Sequence, residues 1–125
     1  MKKIILISTA DRQSTEALHW CLHQSKQKEL TIVTYYLASS PEDLEIGKKF
    51  IEGHERQFRM FQVPFESHCE EAPYEETCVR LSSDPEVVQM VLVQKKKKGL
   101  KKLFDGSSSD PLEGRLSCEV KIYYS

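Results

Sequence analysis

Two short apolar runs constrain the fold of this chain more than any other feature of its sequence. Residues 4–7 are Ile-Ile-Leu-Ile, and residues 87–93 are apolar except for Gln89. A strand that helices cover on both faces has such a continuous apolar run, whereas a strand with one face in water alternates apolar and polar residues. The two runs therefore predict central strands of a parallel sheet with helices on both faces.

The segments between and beyond these runs predict further helices and strands. Ser14 is the predicted N-cap of a helix that ends near residue 26, and Ser40 followed by Pro41 begins a helix that runs to about residue 62. Pro73 begins a third, acidic helix of about ten residues. The predicted strands cover residues 3–9, 30–37, 65–71, 87–93 and 118–124. A lysine-rich loop, a turn at residues 106–110 and a brief helix separate the last two strands.

The resulting element order, βαβαβαβαβ, predicts the fold class. Strands that alternate with helices along a chain form a parallel sheet through right-handed crossovers. We therefore expect an α/β domain of three layers, in which a five-stranded, mostly parallel sheet has helices on both faces. At 125 residues the chain is long enough for one core, so residues 1–125 are predicted to form a single domain.

Charge and hydropathy narrow the functional classes. The net charge is −1, with 18 basic residues against 19 acidic ones, and this balance argues against a nucleic-acid binder. Six lysines nevertheless fall at residues 95–102. They leave room for a local anion site or weak nucleic-acid contact, but such a run is also typical of a solvated turn. The longest apolar run, residues 4–7, is far shorter than the roughly 20 residues that cross a bilayer, so no membrane segment is expected.

The cysteines and the N-terminus predict a cytoplasmic protein. A disulfide framework would require an oxidising compartment. Asp11 and Arg12 interrupt the N-terminal apolar stretch before a signal sequence of adequate length develops. The cysteines are scattered without a CxxC pair, and reduced thiols are therefore predicted for Cys21, Cys69, Cys78 and Cys118.

Residues 87–107 and 118–124 resemble the universal stress protein family. In that family a glycine pattern, Gly-x2-Gly-x9-Gly-[Ser/Thr], follows the fourth strand, and residues 87–107 lie over it without a gap and end in Gly106-Ser107. Residues 118–124 are similar to the family's final strand, with Glu119 at the position of a proline. The resemblance covers essentially the whole chain. It implies the adenine-nucleotide α-hydrolase-like fold with strand order 3-2-1-4-5, and a homodimer paired through residues 118–124.

The chain departs from the family pattern where the family binds nucleotide phosphates. Counting back from Gly106, the first two family glycines fall on Val93 and Lys96. Glycine lets backbone amides approach phosphate oxygens closely, so these side chains are expected to obstruct the usual pose of ATP. Thr9 stands where nucleotide-binding members carry an aspartate, and Asp11 is nearby. The residues that the resemblance implies around a ligand are Thr9, Asp11, Val93, Lys96, Lys98, Gly99, Gly106, Ser107 and Ser109.

Two functions follow from the resemblance. The first is a non-enzymatic, dimeric stress-response or regulatory factor that binds a protein partner or a small anionic ligand and does not bind ATP in the usual family manner. The alternative is an adenine-nucleotide switch for ATP or AMP with at most slow hydrolysis, in which the lysine loop and Gly106-Ser107 surround the phosphates. No catalytic residue is predicted. His19 and His23 have zinc-ligand spacing, but no third ligand is evident and solvated side chains are expected.

Overall fold

The computed structural model describes residues 1–95 and 111–124. Within these residues the strands form a single sheet in the order β3-β2-β1-β4-β5, and every neighbouring pair is parallel. The predicted α/β fold and strand order are therefore confirmed. The elements are β1 (Lys3–Ser8), α1 (Thr15–Lys28), β2 (Thr31–Ala38), α2 (Pro41–Met60), β3 (Phe65–Glu71), α3 (Tyr74–Ser82), β4 (Val87–Gln94), α4 (Pro111–Arg115) and β5 (Glu119–Tyr124).

Helices cover both faces of the sheet, as the apolar runs predict. Alternate residues of β1 point to opposite faces. Ile4 and Leu6 pack with residues of α1 and with Phe58 of α2, while Ile5 and Ile7 pack with residues of α3 and with Leu112 of α4. All four β1 residues are at most 3% exposed. Because burying an aliphatic side chain contributes about 1.5–3 kcal/mol, these central strands anchor the fold.

The helix starts predicted at Ser14 and Ser40 are confirmed, and other element bounds differ by one or two residues. The third helix begins at Tyr74 rather than Pro73, and β2 covers residues 31–38 rather than 30–37. The Ser14 hydroxyl accepts a hydrogen bond from the Ala17 N–H at 3.1 Å, and the Ser40 hydroxyl accepts one from the Asp43 N–H at 3.1 Å. The first helix continues to Lys28 rather than residue 26, because it ends only where Glu29 takes a left-handed conformation with φ of 55°. The second ends at residue 60 rather than 62, β1 ends at residue 8, and β5 begins at residue 119.

Gly47 fixes how closely α2 approaches the sheet. A Cβ at this position would lie 2.6 Å from Tyr36 Cε1 and 2.8 Å from Cys69 Sγ. Real Cβ atoms do not approach other heavy atoms so closely, so a larger residue would force α2 away from β2 and β3. The glycine therefore sets the depth at which the first turns of α2 lie beside the carboxyl ends of these strands.

The strand order reverses between β1 and β4. The chain proceeds from β1 outward through β2 to β3, and then crosses back to place β4 on the other side of β1. In parallel sheets of this kind, ligands bind outside the carboxyl ends of the strands near such a reversal. Among the described residues, no helix has the length and apolar character needed to cross a membrane.

Candidate functional site

A cleft of about 810 Å³ opens at the carboxyl ends of β1, β2 and β3. Its volume lies within the range of small-molecule sites. We call it the sheet-end cleft. It is lined by Thr9, Ala10, Asp11, Arg12, Leu37, Ala38, Ser39, Asp43, Glu71, Ala72, Pro73 and Tyr74.

Thr9 and Asp11 form a polar group on one wall of this cleft. The Thr9 hydroxyl donates to one Asp11 carboxylate oxygen at 2.9 Å, and the Lys95 ammonium lies 3.3 Å from the other. Both contacts lower the pKa of Asp11 below its ordinary value, and the hydrogen bond from Thr9 is the larger cause. Lys95 follows β4 directly, so its ion pair with Asp11 bridges the point where the strand order reverses.

Arg12 connects the turn after β1 to the beginning of α3. Its backbone pairs with Thr9 through two N–H···O contacts of 3.2 Å, which makes the turn compact. Its guanidinium lies 4.3 Å from the centroid of the Tyr74 ring, in cation–π geometry. The two residues are 62 positions apart in sequence, and no local pattern in the sequence predicts their contact.

Asp43 is a buried carboxylate that also lines this cleft. The Tyr36 hydroxyl donates to one of its oxygens at 2.6 Å, and the other oxygen accepts from the Ser39 N–H at 2.9 Å and the Ser39 hydroxyl at 3.3 Å. These hydrogen bonds lower the pKa of Asp43, and the one from Tyr36 is the largest cause. The pKa of Tyr36 is raised, first by burial and then by its hydrogen bond to Asp43. From sequence, Asp43 is predicted only as an acidic residue near the N-terminus of α2.

The residues predicted from sequence are partly brought together. Thr9 and Asp11 line the sheet-end cleft next to each other. Val93 instead is fully buried in the core with residues of α1, and it is not among the residues that line the cleft. The other predicted ligand residues, Lys96, Lys98, Gly99, Gly106, Ser107 and Ser109, lie outside the described residues.

The described part of the chain forms no cluster suited to a metal ion. Across residues 1–95 and 111–124, no group of three or more His, Cys, Asp or Glu side chains has a metal-binding arrangement. His19 and His23 are both exposed on α1, as expected for solvated side chains. All four cysteines are free thiols, and burial raises the pKa of Cys78 to about 12.

The parallel sheet and the position of its cleft define a doubly wound α/β domain with a ligand-sized opening at the strand ends. Within this class, solved universal stress proteins match nearly the whole chain. One from Archaeoglobus fulgidus has a TM-score of 0.73 at 14% sequence identity and covers 98% of this chain and 93% of its own. A family member from Arabidopsis thaliana, with AMP bound, has a TM-score of 0.64 at 14% identity, with coverage of 99% and 91%.

A universal stress protein in complex with cAMP gives a TM-score of 0.68 at 9% identity, with coverage of 99% of this chain and 98% of its own. No protein-family model and no curated protein sequence matches the chain. The likeness is therefore one of structure. This chain has a universal-stress-protein-like fold, in agreement with the resemblance found at residues 87–107.

Proposed function

We propose that this chain is a cytoplasmic, dimeric, non-enzymatic regulatory factor of the universal stress protein type, which does not bind ATP in the manner usual for that family. The observation that carries the proposal is the bonding of Asp11. One oxygen of its carboxylate accepts a hydrogen bond from the Thr9 hydroxyl, and the other forms an ion pair with the Lys95 ammonium. These two partners leave Asp11 fewer lone pairs for a nucleotide hydroxyl, which would have to share the carboxylate with them.

The charge of the described cleft also disfavours a triphosphate. Its lining carries three carboxylates, Asp11, Asp43 and Glu71, against the guanidinium of Arg12 and the Lys95 ammonium that pairs with Asp11. Arg12 is already engaged with the Tyr74 ring. Like charges repel most strongly where water is partly excluded, so the carboxylates of the described lining disfavour a polyphosphate beside them.

The hydroxyl groups of the cleft support a binding role over a catalytic one. Thr9 and Ser39 both donate to aspartates whose pKa is lowered. A carboxylate stabilised in this way is a weak base, and a nucleophilic hydroxyl needs a base with a pKa closer to the working pH. The four free thiols are consistent with a reducing compartment.

The proposed dimer pairs through residues 118–124. β5 lies at the edge of the sheet, and Tyr124 is 59% exposed there. An edge strand has unpaired backbone groups that a second copy can satisfy. Sedimentation equilibrium tests this: Tyr124→Glu should yield a monomer, whereas Phe61→Glu, a control at an aromatic residue that is 42% exposed elsewhere, should leave the dimer intact. A monomeric wild-type protein would contradict the proposal.

Titration calorimetry with ATP and magnesium tests the ligand part of the proposal. We expect no saturable heat at micromolar ATP. Micromolar binding that is lost in Gly106→Val would overturn the proposal, because it would assign the phosphates to the conventional family site.

An adenine-nucleotide switch is the second candidate function. Two observations favour it: the ammonium of Lys95 stands at the strand reversal, and structures of similar fold contain AMP and cAMP. Titration with AMP should then show binding that Ala10→Trp abolishes, because Ala10 is exposed and lines the cleft. Gln27→Trp introduces the same side chain at an exposed position of α1 and serves as the control. Phosphate release from ATP by wild-type protein would measure slow hydrolysis.

A further inference from the structure

A second cleft, of about 560 Å³, lies between α1 and α2 on one face of the sheet. We call it the α1–α2 cleft. Its described lining contains polar and basic side chains and no carboxylate, in contrast to the sheet-end cleft. It is lined by Gln13, Ser14, Thr15, Leu18, His19, Lys49, Phe50, Gly53, His54 and Gln57.

His54 is the buried polar group of this cleft. Its side chain is only 9% exposed, and its Nδ1 atom lies 3.3 Å from the Thr34 hydroxyl beneath it. The ring is held beside Phe50, with ring centroids 4.3 Å apart. Within residues 1–95 and 111–124, the structure shows no hydrogen bond to its Nε2 atom. A group that enters the cleft can therefore satisfy an atom that the fold leaves available.

The electrostatic surroundings of His54 favour an anion. Lys49 and His19 are exposed at the rim and line the same cleft. The N-terminus of α1, capped by Ser14, adds the positive end of a 14-residue helix dipole. Leu18 contributes an apolar surface on the α1 side. These groups together suit a molecule with one anionic end and one apolar end.

Gly53 keeps this cleft open. A Cβ at residue 53 would meet nothing within 4 Å, so the position faces empty space. Glycine in the interior of a helix costs about 1 kcal/mol relative to alanine. No neighbouring atom requires glycine at residue 53. The effect of the glycine is that no side chain from this position occupies the cleft.

We propose that the α1–α2 cleft binds a small organic anion. Its carboxylate or phosphate group lies among Lys49, His19 and His54, and its apolar part packs against Leu18 and Phe50.

His54 is suited to donate a hydrogen bond to such an anion while it is neutral. Burial lowers its pKa to about 4, so the ring is uncharged near pH 7. When the Thr34 hydroxyl donates to Nδ1, the proton of the neutral ring resides on Nε2, which can then donate to the ligand. Besides His54, the described lining of the cleft contains two side chains that can carry a positive charge, Lys49 and His19.

Histidine-ring NMR tests the proposal with benzoate and, separately, inorganic phosphate as probes. Benzoate should shift the His54 ring signals saturably at pH 7. Gly53→Leu should weaken this binding at least tenfold, because leucine would occupy the cleft. Gly114→Leu is the matched control, since residue 114 is also an open glycine but lies in α4. A response to phosphate alone would assign the site to phosphate esters, and a response to benzoate alone would assign it to carboxylates.

Lys49→Gln gives a second variant at an exposed position that should not disturb folding, and it should weaken binding several-fold. Ala10→Trp, which adds a bulky side chain to the lining of the sheet-end cleft, should leave the His54 response unchanged and so separates this site from the proposed function. Shifts that stay linear with both probes, or equal affinity in Gly53→Leu and wild-type protein, would overturn the proposal.

Discussion

His54 should make the stability of this protein fall as the solution becomes mildly acidic. Burial lowers its pKa from an ordinary 6.5 to about 4 in the folded chain. Between these values the unfolded chain binds a proton that the folded chain does not, so the free energy of unfolding decreases as pH falls from 6.5 to 4. Above pH 6.5 the contribution is fully present, and below pH 4 no further loss comes from this residue.

The size of the effect follows from the two pKa values. Each pKa unit corresponds to about 1.4 kcal/mol, so the whole difference amounts to about 3 kcal/mol and the part between pH 7 and pH 5 to about 2 kcal/mol. Urea m-values for small domains are roughly 1–3 kcal/mol/M, so this loss should move the unfolding midpoint by about 1 M.

Urea unfolding followed by circular dichroism at pH 7, 6 and 5 measures the contribution. Carboxylates also titrate near the acidic end, so the quantity of interest is the difference between wild-type protein and His54→Gln, which keeps a polar group near Thr34. That variant should lose about 2 kcal/mol less than wild type between pH 7 and pH 5. His19→Gln, at an exposed position of α1, should behave as wild type. Parallel curves for wild type and His54→Gln would refute the argument.

The packing of α2 and its buried carboxylate yield two further predictions. Gly47→Ala should destabilise the protein by about 1–3 kcal/mol through overpacking, whereas Gly53→Ala should stabilise it by about 1 kcal/mol; thermal melts that rank the two variants in the opposite order would contradict this. Tyr36→Phe should cost about 2 kcal/mol in urea unfolding at pH 7, because a buried hydrogen bond to the charged Asp43 is lost. Tyr124→Phe, at an exposed position, should cost almost nothing.

The fold could be predicted from sequence because its strongest signals are local. The runs at residues 4–7 and 87–93 have no polar residue facing either helical layer except Gln89, and Ser14 and Ser40 mark helix starts by side-chain chemistry alone. The ends of α1 and α2 were less predictable, because a helix stops where tertiary packing and backbone conformation allow. Glu29 takes the left-handed conformation without glycine's local signal.

The clefts could be predicted only in part, because their key contacts join distant residues. Thr9 and Asp11 are close in sequence, and their association was foreseeable. The cation–π contact of Arg12 with Tyr74 has no local signature. His54 had a usable signal, since with Ile51 it falls on the helix face that is buried against the sheet. The periodicity of α2 predicts that His54 is buried. It does not predict the contact with Thr34 or the open cleft beside the ring, because both depend on residues that are distant in sequence.

The two clefts share the turn between β1 and α1 and differ in charge. Residues 9–12 line the sheet-end cleft, and residues 13–15 line the α1–α2 cleft, so one short segment forms the wall between them. The first cleft carries three carboxylates in its described lining, whereas the second carries none and includes Lys49. A net charge of −1 conceals this separation. Hydroxyl-bearing or weakly charged groups suit the first cleft, and an anionic group finds its more favourable field in the second.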